Sequence, residues 1–413
     1  MSKNNNNTPR LRFPEFTGEW EEKPLSAFLF EHKTKSDGKC EVHSVSVSKG
    51  VINQVEYLGR SFAASDTSKY NLAKPNDIIY TKSPTGDFPY GIVKMNKNPY
   101  NVIVSPLYAV YSPINKYVGY ILDSYFESSV NTNNYLSSLV QKGAKNTIQI
   151  TNDTFVCKLM CLPNDEEEQQ KIADCLSEMD KLIYAQAQKV EALKEKKKGM
   201  MQQLFPQKGE TTPRLRFPEF TGEWVEKKLG EVAPVIFDGT HQTPHYVNSG
   251  IPFYSIENIV SNKPCKFITE NEHRINTSKN KTERGDILIS RIGTIGFAKI
   301  VDWDGEFSTY VSLATIKKSA FINTEYLYAY LQSDYYQKEI RSKSLMNAVP
   351  CKINMEDLKK TIVLLPSSPA EQKKIADCLS ELDTLIASET KQLEALKDHK
   401  KGLMQQLFPQ PAK

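Results

Sequence analysis

No run of 18 consecutive apolar residues occurs in these 413 residues, so nothing reads as a membrane-spanning helix. The opening stretch Met1 to Asn7 is polar, which excludes the apolar core of a secretory signal. The chain is therefore expected to be cytoplasmic. An even cysteine framework is missing too. The seven cysteines, Cys40, Cys157, Cys161, Cys175, Cys265, Cys351 and Cys378, are scattered and odd in number. In a reducing compartment they read as free thiols, with Cys157 and Cys161 expected to be buried around a strand-like run. A strong excess of one charge is also lacking. With 53 basic and 49 acidic residues the net charge is +4, which permits a nucleic-acid partner without requiring one.

Catalytic motifs are absent as well. No G-x-x-x-x-G-K-[ST] loop is present to hold a nucleotide phosphate. The nearest approach to the Asn/Asp-Pro-Pro-aromatic motif of adenine methyltransferases is Asn98-Pro99-Tyr100, which lacks a proline and follows no glycine-rich cofactor loop. Asp302, Asp304 and Glu306, in VDWDGE, read as a solvated turn rather than a nuclease cluster. His241 and His245 lie four apart, but Pro244 between them argues against one helical face and so against a zinc site. The chain is thus expected to be non-catalytic on its own.

What is present is a duplication. Thr8 to Trp20 reads TPRLRFPEFTGEW, and Thr212 to Trp224 repeats those thirteen residues. Pro163 to Gln207 aligns with Pro366 to Gln410 at an offset of 203, with 28 of 45 positions identical. Between these shared blocks lie segments of roughly 25–160 and 229–363 that have little sequence in common. Like frames around unlike inserts imply one job done twice on different targets. Four segments follow: a first recognition domain at 1–162, a first spacer helix at 163–207, a second recognition domain at 208–365 and a second spacer helix at 366–413.

The shared blocks are helical. Glu168 to Phe205 contains no proline and one late glycine, Gly199, before Pro206 stops it; Asn164 or Asp165 can cap its start. A 38-residue helix is roughly 57 Å long. Its apolar residues begin at Ile172 and Leu176 and continue as a seam of alternating 4 and 3 spacing through Met179, Ile183, Gln186, Val190, Leu193, Lys197, Met200 and Leu204. The second copy gives Leu382, Ile386, Glu389, Leu393, Leu396, Lys400, Leu403 and Leu407, after Ile375 and Leu379. A parallel pairing would set Lys197 on Lys400 in an apolar seam. An antiparallel pairing can set Met179 on Leu407, Ile183 on Leu403, Val190 on Leu396 and Leu193 on Leu393. The same register places Gln186 opposite Lys400 and Lys197 opposite Glu389. The expectation is an antiparallel coiled coil with a pseudo-two-fold axis near Leu193 and Leu393, spacing two heads.

In the second insert, Gly285 to Arg291 reads as a turn entering a buried strand that ends on a cation, with Gly293 and Gly296 beyond. The first insert has a parallel at Asn76 to Lys82, followed by Pro84, Thr85 and Gly86. Taken in order, LRFPEFTGEW entering each half, GDILISRIGTIG at 285–296, DGTHQTPHY at 238–246, GIPFYSIENI at 250–259 and EQ-KIADCLSE opening each long helix resemble the specificity subunits of type I restriction-modification systems. The resemblance covers nearly the full length. It implies two target recognition domains of mixed α+β (α/β) fold, each reading half of a bipartite, non-palindromic double-stranded DNA site. It also implies paired helices that set the spacer and dock two methyltransferase subunits, with restriction/translocase subunits joining that core. Such a complex methylates host DNA at adenine N6 and restricts foreign DNA, a phage defence. S-adenosylmethionine, ATP and Mg are expected on the partner subunits and none on this chain. Candidate DNA contacts are Ser48, Lys49, Lys82 and Thr85 in the first insert, and His241, Thr243, Tyr246, Arg291 and Thr294 in the second, since Arg and Lys can bond guanine edges while hydroxyls position phosphates. Lys82-Ser83-Pro84 stands where the second insert has Arg291-Ile292-Gly293, so residues do not transfer simply between the halves. An enzyme and a purely structural coiled-coil adaptor are the rival readings.

Overall fold

The computed structural model describes residues 7–142, 148–207, 209–261 and 263–409. The outermost ends of the first and last expected segments therefore lie outside the described residues. The chain forms two compact units: Met1–Ala187 with Lys391–Lys413, and Gln188–Thr390. The expected boundaries set the spacer helices apart from the heads. Each long helix contributes to both units, since its two ends are built into different cores.

In the first unit, strands β1 (Leu29–Glu31), β2 (Ile78–Tyr80), β3 (Val93–Met95) and β4 (Ala109–Pro113) form an antiparallel sheet of order β1-β4-β2-β3. Helix α1 (Lys116–Glu127), capped by the Asn115 side chain, packs against this sheet through Val118, Ile121 and Leu122. The long helix α2 (Glu166–Leu204) starts in the same core with Ile172, Ala173 and Leu176. In the second unit, β5 (Ile236–Asp238), β6 (Ile287–Ser290), β7 (Ala298–Ile300) and β8 (Leu313–Ile316) repeat the order as β5-β8-β6-β7. Helix α3 (Thr324–Leu331), capped by Asn323, occupies the place of α1. The second long helix, α4 (Pro369–Leu407), opens in this core with Ile375, Ala376 and Leu379. Both units are thus mixed α+β. Alternation and turn residues account for the strands: Asn76 and Gly285, at φ +72° and +88°, turn the chain into β2 and β6.

The far ends of the long helices close the cores. Leu407 and Phe408 join the first unit's cluster, while Leu204 and Phe205 join the second's. Each such side chain contributes roughly 1.5–3 kcal/mol of burial. Asp165 takes the N-cap role at α2, its carboxylate accepting from Glu167 N at 2.8 Å.

The repeated entry segment clamps the start of each long helix. Arg12 donates two hydrogen bonds to Glu168, at 2.7 and 2.9 Å, and Trp20 Nε1 donates a third at 3.2 Å. In the second unit Arg216 bonds Glu371 twice at 2.8 Å and Trp224 Nε1 lies at 3.4 Å. Both carboxylates are buried, and without these partners a buried charge would be costly. Strands Glu21–Pro24 with Leu159–Leu162, and Val225–Lys228 with Ile362–Leu365, complete the matching attachments.

Within the first unit the start of α2 lies with the end of α4, and within the second the end of α2 lies with the start of α4, so the two run antiparallel. None of the sixteen seam residues is exposed. Both seam lysines also find carboxylates outside the seam. Lys400 Nζ sits 2.6 Å from Asp180 and reaches Glu127. Lys197 bonds both oxygens of Asp383, at 2.6 and 2.8 Å, and Glu389 takes Lys189 at 2.7 Å. A long lysine stem can leave the seam sideways, so the head finds a carboxylate on the partner's flank while the stem stays covered. Burial alone would raise the Asp180 carboxyl. Hydrogen bonds from Lys400 and Tyr120, with the charges of Lys400 and Lys97, outweigh it and hold the group below the ordinary aspartate range.

The cysteines are all free. Cys157, expected to be buried, is exposed at the end of helix Asn152–Cys157, and Cys161 lies within a strand, its thiol pushed up to about 11 by burial. Asp304 and Glu306 pair with Arg284 and Lys281 on the surface, as a solvated turn should. Among the described residues no helix is long and apolar enough to cross a membrane, and no group of His, Cys, Asp and Glu could hold a metal ion.

Candidate nucleic-acid interface

In the second unit the sheet brings two strand ends together. Asp238 closes β5 and Arg291 follows β6, and Arg291 Nη1 lies 2.8 Å from Asp238 Oδ2. The same carboxylate oxygen receives His241 Nε2 at 2.9 Å. Arg291 also donates to the carbonyls of Val311 and Ile353, at 3.2 Å each. With 7% exposure, this guanidinium is committed to the protein. Sequence reasoning offered Arg291 as a base-reading side chain; the structure places it as a hub that holds the turns bearing other candidates. The strand delivers it, but its side chain turns inward toward an acid that the sequence does not mark.

The turns it holds are solvent-facing. His241, Thr243 and Tyr246 are exposed on the 238–246 turn, and Thr294 is exposed on the 291–296 turn. Lys266 Nζ lies 4.3 Å over the Tyr246 ring, a cation–π contact. The 238–246 turn depends on Gly239: a Cβ there would fall 2.0 Å from the Thr309 carbonyl oxygen. Gly293 and Gly296, at φ +82° and +84°, shape the second turn.

The first unit builds the same hub through an intermediary. Glu31 closes β1 and accepts from Asn152 Nδ2 at 2.6 Å, while Asn152 Oδ1 accepts from Lys82 Nζ. Burial pushes the Lys82 ammonium below its ordinary pKa, against the pull of Glu31. Lys82 is half-buried and turned inward, so it too is a holder first. The backbone at Lys82, φ +60°, is closely approached by Gly91, where a Cβ would come within 2.7 Å of Lys82 N. Thr85 is exposed on the adjoining turn, its N and Phe88 O bonded at 3.0 Å. Ser48 and Lys49 are exposed at the tip of a separate hairpin, His43–Ser46 with Gly50–Asn53.

Sequence reasoning missed Asp238, Glu31 and Asn152. The only signal available was an acid ending the first strand of each sheet. It also missed an exposed segment after the hairpin, where Arg60 stacks 4.5 Å over the Phe62 ring and Phe62 is 58% exposed. An arginine and an aromatic ring side by side in solvent suit a phosphate and a base edge.

Comparison with known proteins places this arrangement. Residues 221–398 match the family described as "Type I restriction modification DNA specificity domain". The chain is 28% identical over 255 residues to the type I restriction enzyme MjaVIII specificity subunit of Methanocaldococcus jannaschii, a match covering 59% of each. The chain thus spans about three-fifths of the length of that curated relative. Its fold is that of the type I restriction-modification S subunit from M. genitalium, with TM-score 0.59 at 16% identity, covering 98% of this chain and 100% of that one. A second solved chain, from the structural basis of complex assembly and conformational transition of the type I R-M system, gives TM-score 0.53 at 17% identity, covering 94% and 97%.

Proposed function

We propose that this chain is a specificity subunit of a type I restriction-modification system, as its similarities suggest, and that each of its two units reads one half of a bipartite, non-palindromic double-stranded DNA site. The observation that carries this reading is the repeated acid–cation hub, Asp238 with Arg291 and Glu31 with Lys82 through Asn152. Each hub fixes exposed turns of unlike sequence on sheets of like order. Frames that match and loops that differ are what two readers of two sequences require. Exposed hydroxyls and rings at Thr85, Thr243, Tyr246 and Thr294 would meet bases or phosphates, while Ser48 and Lys49 would reach the backbone.

The long helices would set the interval between half-sites and dock two methyltransferase subunits, with restriction/translocase subunits joining through them. Glu178, Leu182, Glu191 and Lys198 are exposed on α2, and their counterparts Glu381, Leu385, Glu394 and Lys401 are identical and exposed on α4. Among the described residues, Glu178, Glu191 and Glu394 make only exposed ion pairs one turn along their own helices, which are worth little to the fold. One kind of partner binding twice accounts for identity at such positions. In this reading the chain recognises and its partners catalyse, bringing S-adenosylmethionine, ATP and Mg with them, for adenine-N6 methylation and restriction.

The test is to map N6-methyladenine in the genome of cells carrying this chain with its methyltransferase partner. A two-part motif with a fixed gap is expected. Methyl transfer by the isolated chain, or a methylated motif unaffected when residues 25–160 are exchanged for another head, would sink the proposal.

A further inference from the structure

We propose that the loop Leu345–Pro350 is a base-contacting finger of the second unit, presenting Met346 and Val349 to the apolar groups of its half-site. This rests on the reading of the chain as a DNA-specificity subunit and names a determinant that reading does not supply. Val349 is 100% exposed, Met346 51% and Leu345 49%. Single apolar residues on a surface need no explanation, but three within five consecutive positions at one loop tip do.

The tip is aliphatic yet its base is fixed. Leu345 N donates to Lys352 O at 2.7 Å and Ala348 N to Leu345 O at 3.2 Å. Gly293 N donates to Cys351 O at 2.8 Å, and Ile353 N to Arg291 O at 2.9 Å. The finger therefore rises directly beside the turn that carries Thr294, and it shares the Arg291 hub with the turn that carries His241 and Tyr246. Its flanks are basic: Arg341 and Lys352 are exposed, and Lys343 lies 3.4 Å from Glu339. A basic rim around an apolar tip matches a DNA groove, where phosphates line the edge and thymine methyls or an opened base step offer apolar contact. A lipid surface combines acid and apolar groups too. A short loop tip with no amphipathic helix behind it, however, is a small anchor.

The experiment uses the assembled methyltransferase complex. The methylated motif is mapped with the wild-type chain and with Met346→Ser/Val349→Ser, and binding of both to a duplex carrying the wild-type motif is measured. Since Val349 is fully exposed and Met346 about half exposed, the unfolding midpoint should change little and the first half-site should not change. Recognition at the second half-site should weaken about tenfold, or relax at one or two base pairs. An identical motif with identical affinity overturns the finger, whatever the double variant does to sedimentation with anionic vesicles. If the wild-type chain directs no two-part motif at all, the underlying specificity reading fails, which is a separate outcome.

Discussion

The two units are built on one plan and differ where solvent meets them. Their sheets share an order, their entry segments clamp the long helices with the same Arg–Glu–Trp set, and their hubs occupy matching strand ends. Yet the second hub is a direct Asp238–Arg291 pair, while the first inserts Asn152 between Glu31 and Lys82. In sequence alone, segment 141–147 of the first half is basic and polar, QKGAKNT, while the second half has the aliphatic LMNAV at 345–349. Holding the frame and varying the loops lets a unit change what it contacts without refolding. The clamps, being buried and repeated, should behave alike in both units; the hubs and loops should not.

The largest expected effect tests the likeness. Glu168→Ala and Glu371→Ala each remove a buried carboxylate and strand a half-buried arginine and a buried indole N–H. Each should cost on the order of 3–5 kcal/mol in the unit concerned. Denaturant unfolding followed by hydrogen exchange in the two units is the measurement. A variant that destabilises one unit and leaves the other's equivalent unmoved would break the symmetry of the clamps.

The seam lysines come next, and here the units should differ. Lys400 lies between Asp180 and Glu127 with a nearly buried side chain, while Lys197 meets a half-exposed Asp383. Lys400→Met should cost roughly 2 kcal/mol and Lys197→Met about 1 kcal/mol or less, because solvent screens the second pair. The pH dependence follows from Asp180, whose folded carboxyl is held low. A group with a depressed folded pKa stabilises fully above its ordinary value, near 3.9, and loses that contribution as pH falls through the folded value. Unfolding of the wild type should therefore be level from pH 7 to 5 and steepen below about 4. Lys400→Met should flatten that acid limb, and an unchanged limb would show that another carboxylate governs it.

Much of this was legible in the sequence, and the misses share a cause. Repetition marked the halves, and 4–3 spacing marked faces of α2 and α4 whose residues are buried or half-buried. The partners of Lys197 and Lys400 were not legible, because spacing locates a Cα and says little about where a four-carbon stem ends. Arg291 was legible as the end of a strand but not as an inward hub, since that depends on Asp238, 53 residues away. The Cys157 position failed for a similar reason: a short helix, not a strand, carries it to the surface.

The hubs give the next effect. Arg291→Lys keeps the charge but not the fork that serves Asp238 and two carbonyls at once. Binding at the second half-site should fall about tenfold, with the first half-site untouched. Lys82→Arg, in a site where the cation works through Asn152, should change the first half-site by less. Competition binding with duplexes altered in one half at a time separates the two. Equal losses would mean that the intermediary makes no difference.

The smallest expected effect falls on affinity and stability, though not on the gap between half-sites. Inserting four residues after Glu191 lengthens α2 by ~6 Å, close to two base pairs. Four residues make a coiled-coil stutter, which keeps apolar positions on nearly the same face, so much of the seam can still pack. The half-site sequences should persist, because the insertion alters no residue of either hub or of the exposed turns. If the helices act as the ruler, the mapped motif should keep both halves and gain about one base pair of non-specific spacer. That is less than the full rise, because only one helix of the pair is extended and part of the extra turn is absorbed by local unwinding. An insertion variant that remains active and methylates sites of the original spacing would make the helices a docking platform alone. The interval between half-sites would then have to be fixed by the heads or by the partners.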